Sequence, residues 1–254
     1  MKKLLISILV LFTLSSSAQN LPVLEGIEPT FDCPNNKVAP FMQAAETYIQ
    51  SGLIIGTHAD KATATNYTDF NETYLTKYMA GGTQQGRYNG EFGTPPEIGS
   101  IWADQNSAGL YDMKSGTINK INEMLKVDNG WNMQATYKVD GSNITVRMKV
   151  NSIDMHGLPH LRVFSYIQEK GTHNYKQAIG SPKGKRMPVI TDTLWHSFII
   201  KGTTTLTNYD VIVKVQDAQS NKLHNGYPSN PTWGDYEYII YCANIAKLIS
   251  ASVQ

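Results

Sequence analysis

The sequence predicts an α+β protein in which an α/β domain over residues 19–128 is followed by an antiparallel β-sandwich over residues 129–254. Segments with helical and strand-like periodicity alternate before Asn129, and this alternation is typical of α/β domains. After Asn129 nearly every segment alternates apolar and polar side chains, which is the period of a strand. A leader segment over residues 1–18 precedes both domains.

The leader has the pattern of a signal peptide. Lys2 and Lys3 form a basic start, Leu4–Leu14 is almost entirely apolar, and small residues up to Ala18 precede a predicted cleavage site before Gln19. The apolar run is shorter than the roughly 20 residues of a membrane-spanning helix. No later segment is apolar enough to span a membrane, and no cysteine marks a lipid attachment site. We therefore expect an exported mature chain without a transmembrane helix, in the periplasm or at the outer membrane or cell surface.

The composition argues against two classes of ligand. The full chain has 22 basic and 21 acidic residues, and removal of Lys2 and Lys3 with the leader would leave a charge of −1. Nucleic-acid-binding domains instead cluster their basic residues. Gly81–Gly86 is glycine-rich, but it lacks the Lys-Ser/Thr of a phosphate-binding loop and the spacing of a dinucleotide fingerprint. We expect no nucleic-acid partner and no cofactor.

Three helices and one strand are predicted in the first domain. Val38–Gln50 places its apolar residues on one stripe, as an amphipathic helix does, and Gly52 is a plausible stop signal. Leu53–Thr57 follows as a short apolar strand. Phe70–Met79 has aromatic residues at four-residue spacing, and Ser115–Val127 has a third amphipathic pattern. The stripe of the first helix consists of Val38, Phe41, Met42, Ala45 and Ile49.

A hairpin opens the second domain. Residues 133–139 and 144–150 alternate on either side of Asp140-Gly141, a strong turn signal. Further strands are predicted at Leu161–Gln168, Leu194–Ile200, Tyr209–Val215, Tyr236–Ala243 and Ala246–Val253. About seven short strands without a helix resemble an immunoglobulin domain. Gly171–Pro188 is long, basic and rich in Gly and Pro, and we expect it to be an exposed connection.

Two cysteines occur, and Cys33 is the candidate reactive residue. It precedes the first helix, where thioredoxin-like folds carry Cys-x-x-Cys and the helix N-terminus lowers the thiol pKa. The second thiol is absent, because the partner positions are Thr30 and Asn36, so only single-thiol chemistry remains possible. Cys242 lies in an apolar strand and is expected to be a core residue. Two separate thiols are the favoured interpretation, with a disulfide between Cys33 and Cys242 as the alternative.

The histidines do not predict a metal site. His58 and Asp60 could supply two ligands after the Leu53–Thr57 strand, but two are too few. His156 and His160 have a spacing seen in metal-binding pairs, yet the Gly-Leu-Pro between them prevents the helix that would align them.

The order of these elements resembles the family of bacterial outer-membrane proteins of 28 kDa. The resemblance rests on Cys33-Pro34 before a helix, the strand ending in His58, and Gly82–Asn89 followed by Trp102. In the β-half it rests on Val163–Glu169, the strand after His196, and Tyr241–Ser252. It implies a thioredoxin-like domain over 19–128 and an immunoglobulin-like domain over 129–254. The family's Phe-Thr-Gly run and paired cysteines are not intact, and no proline lies near Thr83 and Gln84, where thioredoxin-like proteins carry a cis-proline.

The expected function is that of a non-enzymatic exported protein, associated with the cell envelope or outer membrane, that binds an unknown protein or glycan partner. No catalytic constellation is visible in the sequence, and neither a cofactor nor a metal is expected. The alternative is a single-thiol redox protein or thiol carrier that uses Cys33. The short linker Asp128–Gly130 predicts a modest, polar interface between separable domains, with Trp131 packed at their junction.

Overall fold

The computed structural model describes residues 20–28, 38–75, 85–89, 91–92, 109–152, 160–188, 196–219, 222–225 and 234–249. Within these ranges the protein is rich in β-sheet and has few helices. The predicted signal peptide, Cys33, the loop at 81–84, Trp102 and His156 lie outside the described residues. None of the helices in the described ranges is long and apolar enough to cross a membrane.

We call the described residues up to 128 the N-terminal half. It contains a mixed four-stranded sheet and the helices around it. Its strands are β1 (Val23–Glu28), β2 (Ile55–Asp60), β3 (Gln85–Tyr88) and β4 (Glu91–Phe92), in the order β2-β1-β3-β4. β1 and β2 are parallel, whereas β3 is antiparallel to both of its neighbours. The helices are α1 (Val38–Gln50), α2 (Tyr67–Phe70), which continues as a π-helical turn over Asn71–Leu75, and α3 (Gly109–Met124).

The apolar stripe of α1 packs against one face of this sheet. The helix has the predicted bounds, and its five stripe residues are buried together with Leu24, Tyr88 and Ile121. The helix lies so close to the strands that a Cβ at Gly26 or Gly56 would overlap Val38 or Ile49. The close approach of α1 therefore favours glycine at positions 26 and 56 of the sheet.

The boundaries of the other predicted elements shift. The chain turns after α1 at Gly52, which has a φ of 69°, so the following strand begins at Ile55 rather than at Leu53. The second predicted helix begins at Tyr67, because the Asn66 side chain accepts hydrogen bonds from the Thr68 and Asp69 amides. The third begins earlier than predicted, at Gly109.

The C-terminal half, from residue 129 onward, contains two further sheets. One has the order β10-β6-β5-β15 and the other β14-β11-β7-β8, with β9 paired to β7, while β12 and β13 form a separate hairpin. The predicted hairpin around Asp140-Gly141 is confirmed as β5 and β6, and Gly141 has a φ of 60°. The strand bounds are β5 Trp131–Asp140, β6 Asn143–Ser152, β7 Leu161–Glu169, β8 Tyr175–Ala178, β9 Lys185–Arg186, β10 His196–Thr203, β11 Tyr209–Asp217, β12 Lys222–Asn225, β13 Gly234–Glu237, β14 Ile240–Ile245 and β15 Lys247–Leu248.

One prediction for the C-terminal half is wrong. Gly171–Pro188 is not simply an exposed connection, because it contains β8 and β9, and its residues Tyr175, Ile179 and Met187 are buried. Gly and Pro content indicates a loop, but the edge of β7 offers backbone partners to two short stretches of this segment. Of the final predicted strand, Ala246–Val253, the structure describes residues up to 249, and β15 covers two of them.

The sheet β14-β11-β7-β8 is the central layer of the molecule. Val211, Val213 and Val215 of β11 face the sheet β10-β6-β5-β15 in one apolar core. Ile212 of the same strand, with Tyr166 of β7, faces the N-terminal sheet in a second core. β7 and β11 are therefore buried on both faces, unlike strands at the surface of a two-layer sandwich.

The interface between the halves contains a buried apolar core, which the expectation of a polar interface does not include. The second core joins N-terminal side chains such as Val23, Ile27 and Tyr74 to Tyr175 and Ile240. Trp131 does not lie in this junction core. It packs against Tyr241 within the other core, at a ring-centroid distance of 5.2 Å.

A buried ion pair crosses this interface. Lys214 of β11 donates a hydrogen bond of 2.7 Å to Oε1 of Glu25 on β1, and both side chains have no solvent exposure. Tyr74 also donates to Oε1, at 3.5 Å. Next to it, Thr57 of β2 donates to Gln168 at 2.9 Å and hydrogen-bonds Tyr166 at 2.7 Å. The contacts of Lys214 with Glu25 and of Thr57 with Gln168 and Tyr166 thus cross the interface, whereas Oε2 of Glu25 is buried without a hydrogen-bond partner in the described residues.

Substitution of Lys214 by Met should strongly destabilise the protein. Met fills a similar volume, but it leaves the buried Glu25 carboxylate without the ammonium group that compensates it. Removing one member of a buried ion pair costs about 3–5 kcal/mol. Urea denaturation followed by circular dichroism measures the loss.

The double variant Glu25→Gln/Lys214→Met serves as the matched test, and we expect it to regain much of the lost stability because no charge remains unpaired. Lys170→Met removes a lysine from an exposed pair with Asp210 and should change stability little. A Lys214→Met protein as stable as Lys170→Met would contradict the role assigned to the buried pair.

Candidate functional site

Three potential ligand side chains meet where β1 and β2 end. The two strands are parallel and in register, so that Glu28 lies opposite Asp60 and Gly26 lies opposite His58. Glu28 Oε2 is 3.4 Å from His58 Nε2, and the ligand atoms of Glu28, His58 and Asp60 all lie within 4.8 Å of one another. In open α/β sheets, ligands bind at the carboxyl ends of parallel strands.

Glu28, His58 and Asp60 are held on the same side of the sheet as α1. Gly26 and Gly56, two residues before Glu28 and His58, face Val38 and Ile49 of that helix, and side chains two apart share a face. The Glu28 side chain is almost fully buried, with a relative exposure of 8%. Asp60 Oδ1 accepts a hydrogen bond of 2.7 Å from the amide of Ala62, which fixes the start of the following turn.

The C-terminal half also holds this edge of the sheet. The His58 amide donates to the carbonyl of His173 at 2.9 Å, and a parallel bridge links His58 to Asn174. The turn that provides these contacts includes two residues with positive φ, Gly171 at 85° and His173 at 58°. The backbone of β2 is therefore fixed on one side by β1 and on the other by this turn.

The sequence pointed to only part of this group. His58 and Asp60 were recognised as two potential ligands, whereas Glu28 was missed because it lies thirty residues upstream of His58. A strand-helix-strand pattern predicts two parallel strands, and the carboxyl ends of such strands are aligned. This pattern would have placed Glu28 beside His58. Cys33 follows Glu28 in the chain but lies outside the described residues. His160 is exposed at the start of β7, and its predicted neighbour His156 also lies outside them.

Cys242 is a packing residue of β14. It is free and buried in the core of the C-terminal half. Burial raises the pKa of its thiol well above the usual range, with a smaller opposing effect from a hydrogen bond to the Val215 backbone. A thiol in such surroundings is a poor nucleophile.

A second candidate surface is the outward face of the sheet β10-β6-β5-β15, which we call the basic face. It carries Lys138, Arg147, Lys149 and Lys201, all exposed. The strand register places Ile199 opposite Arg147 and Lys201 opposite Thr145, while Lys138 lies on the other side of Thr145. Within the described residues, none of these four cations takes part in an ion pair.

The remainder of the basic face is polar, with a small apolar part and one exposed carboxylate, that of Asp140. Gln134, Thr136 and Ser197 lie between the cations and line a shallow groove together with Ile199 and Ile249. Each of these two isoleucines is 44% exposed. The surface thus combines fixed positive charge, hydrogen-bonding groups and a short apolar strip.

Alkylation of the native protein should spare Cys242. The buried thiol of Cys242 is both inaccessible and protonated, whereas denaturation exposes it. Iodoacetamide labelling followed by peptide mass spectrometry, with and without urea, measures its modification. Equal labelling of Cys242 in the native and denatured protein would show that its burial is wrongly described.

Comparison with known proteins gives similarity of fold. No protein-family model matches the chain, and no curated protein matches its sequence. The structure is similar to HBP35 of Porphyromonas gingivalis, with a TM-score of 0.57 and 14% identity over 94% of this chain and 79% of that one. A domain of the outer membrane lipoprotein Omp28 from Porphyromonas gingivalis matches with a TM-score of 0.33 and 16% identity, over 48% of this chain and 90% of that domain. The chain therefore shares with HBP35 a fold that extends over nearly its whole length.

Proposed function

We propose that the protein is an exported, non-enzymatic binding protein of the bacterial cell envelope, and that its basic face binds an anionic polysaccharide. The observation that carries the proposal is the set of exposed cations on three adjacent strands, which have no ion-pair partner in the described part of the chain. The signal-peptide pattern of residues 1–18 supports export to the periplasm, outer membrane or cell surface.

The proposed architecture is a thioredoxin-like domain over 19–128 and an immunoglobulin-like domain over 129–254. The order β2-β1-β3-β4, with one parallel pair beside antiparallel strands, supports the first assignment, as do α1 and α3 on one face and α2 on the other. Two antiparallel-rich sheets around a common apolar core support the second. The resemblance to the outer-membrane proteins of 28 kDa is consistent with both, and it supports a location in the envelope.

The spacing of the cations suits a polymer that carries repeated negative charge. Neighbouring strands are about 4.8 Å apart and alternate residues on one strand about 7 Å apart, so the cations cover an area of roughly 10 by 14 Å. An extended chain of acidic sugars can contact several of them at once. Gln134, Thr136 and Ser197 can hydrogen-bond sugar hydroxyl groups, and Ile199 offers a small apolar contact to a sugar ring.

The charge distribution also supports anion binding at the basic face rather than over the whole protein surface. The chain as a whole is close to neutral, with a formal charge of +1, so a general attraction to anions is not expected. Lys138, Arg147, Lys149 and Lys201 nevertheless lie together on one sheet face. Such local charge steers a charged partner to one part of the molecule.

The double variant Arg147→Gln/Lys149→Gln should weaken binding to dextran sulfate about tenfold. Two exposed ion pairs contribute roughly 0.5–1 kcal/mol each, and 1.4 kcal/mol corresponds to a factor of ten. Both side chains point to solvent, so the fold should be unaffected. Surface plasmon resonance with dextran sulfate, alginate and uncharged dextran measures affinity at two salt concentrations.

Lys126→Gln/Lys170→Gln is the matched control, since it removes the same charge from exposed positions elsewhere and should leave binding unchanged. Wild-type affinity should fall as salt rises, and uncharged dextran should not bind. An equal loss in both double variants would indicate a nonspecific charge effect and reject the basic face as the site. Binding to anionic phospholipid vesicles but to neither anionic polysaccharide would favour a membrane surface and reject the polysaccharide.

A single-thiol function of Cys33 is the second candidate. It is favoured by the position of Cys33 in the chain, between β1, which ends at Glu28, and α1, which begins at Val38. A helix N-terminus lowers the pKa of a nearby thiol. Measured alkylation rates against pH should then give a Cys33 pKa well below the free value of about 8.5. An ordinary pKa would remove this candidate.

A further inference from the structure

We propose that Glu28, His58 and Asp60 form a binding site for a zinc-like divalent cation at the carboxyl ends of β1 and β2. This site lies in the N-terminal half, whereas the basic face belongs to the C-terminal half, and it does not depend on polysaccharide binding. Its ligands are the carboxylates of Glu28 and Asp60 and the imidazole Nε2 of His58.

The distances between the ligand atoms suit a small cation. Two donors bound to tetrahedral Zn²⁺ at about 2.1 Å are separated by about 3.4 Å. Glu28 Oε2 and His58 Nε2 have this separation, 3.4 Å. The ligand atoms of all three residues lie within 4.8 Å, so a small rotation of the Asp60 side chain completes the set.

The donor chemistry favours Zn²⁺ over Ca²⁺ or Mg²⁺. Imidazole nitrogen is a common zinc ligand, whereas Ca²⁺ and Mg²⁺ require more ligands and prefer oxygen alone. Three protein ligands leave a fourth position for water or for a ligand atom from a partner. One imidazole and two carboxylates also carry a net negative charge when His58 is neutral, and a cation would compensate it.

The surroundings of the three residues favour a preformed site. Their backbone is fixed by strand register rather than by a loop, and sites on strands are more precise than sites on loops. The hydrogen bond from the His58 amide to His173 restrains the strand from the other half.

Zn²⁺ binding is measured on the purified protein by competition with a chromophoric chelator. Visible absorption of added Co²⁺ reports the coordination geometry. We expect one equivalent of Zn²⁺ to bind, and His58→Gln and Asp60→Asn each to lower the affinity at least about tenfold. Zn²⁺ should also raise the melting temperature of the wild type and not of these variants, because binding to the folded state stabilises it.

His160→Gln is the matched control, because it removes an exposed histidine and should leave the affinity unchanged. Cys33→Ser should likewise keep the site. Circular dichroism checks the fold of every variant, and Asp60→Asn provides the comparison should His58→Gln fail to fold. Wild-type protein without saturable Zn²⁺ binding overturns the proposal. So does affinity that is lost in Cys33→Ser but kept in His58→Gln and Asp60→Asn.

Discussion

The ion pair between Glu25 and Lys214 is the interaction on which the arrangement of the two halves depends. Both groups are fully buried, and each would be costly without the other. Lys214 lies on the inner side of a strand whose opposite side faces a different core. Docking the N-terminal sheet elsewhere along β11 would leave both charges unpaired. The pair therefore fixes the register between halves, while the surrounding aromatic and aliphatic side chains supply most of the apolar burial.

This docking also determines the surroundings of the candidate cation site. Thr57 points from β2 into the interface, where it meets Tyr166 and Gln168. Its neighbour His58 points to the other side, next to Glu28. One strand thus carries an interface residue and a potential ligand at adjacent positions, because side chains alternate along it. A substitution that shifts Thr57 in the interface would therefore also shift its neighbour His58 in the candidate cation site.

Among the residues that the structure describes, the central sheet β14-β11-β7-β8 is covered on both faces, and the sheet β10-β6-β5-β15 has an exposed outward face. One face of the central sheet is covered by the N-terminal half and the other by β10-β6-β5-β15. The outward side of the latter sheet is exposed to solvent, and Arg147 and Lys149 lie on it. Polar residues within the central sheet have a different role, since Ser165 donates to the Ile212 carbonyl and Lys214 pairs with Glu25. Buried Lys214 therefore stabilises the fold through its ion pair, whereas exposed Arg147 and Lys149 remain accessible to a ligand.

Local patterns in the sequence determined the elements whose signal lies within a few residues. The bounds of α1 followed from its apolar stripe, and the β5–β6 hairpin from alternation around Asp140-Gly141. The short strands β8 and β9 within Gly171–Pro188 have no such local signal, because they form by pairing with the edge of β7.

Only the tertiary structure decided which distant residues meet. Glu25 and Lys214 are 189 residues apart, and Glu28 joins His58 only through the parallel register of β1 and β2. Periodicity reports which side of one element is apolar, but it does not report the partner that covers that side. The physical reason is that a buried charge or ligand group is stabilised by neighbours in space, and these are set by the packing of whole sheets.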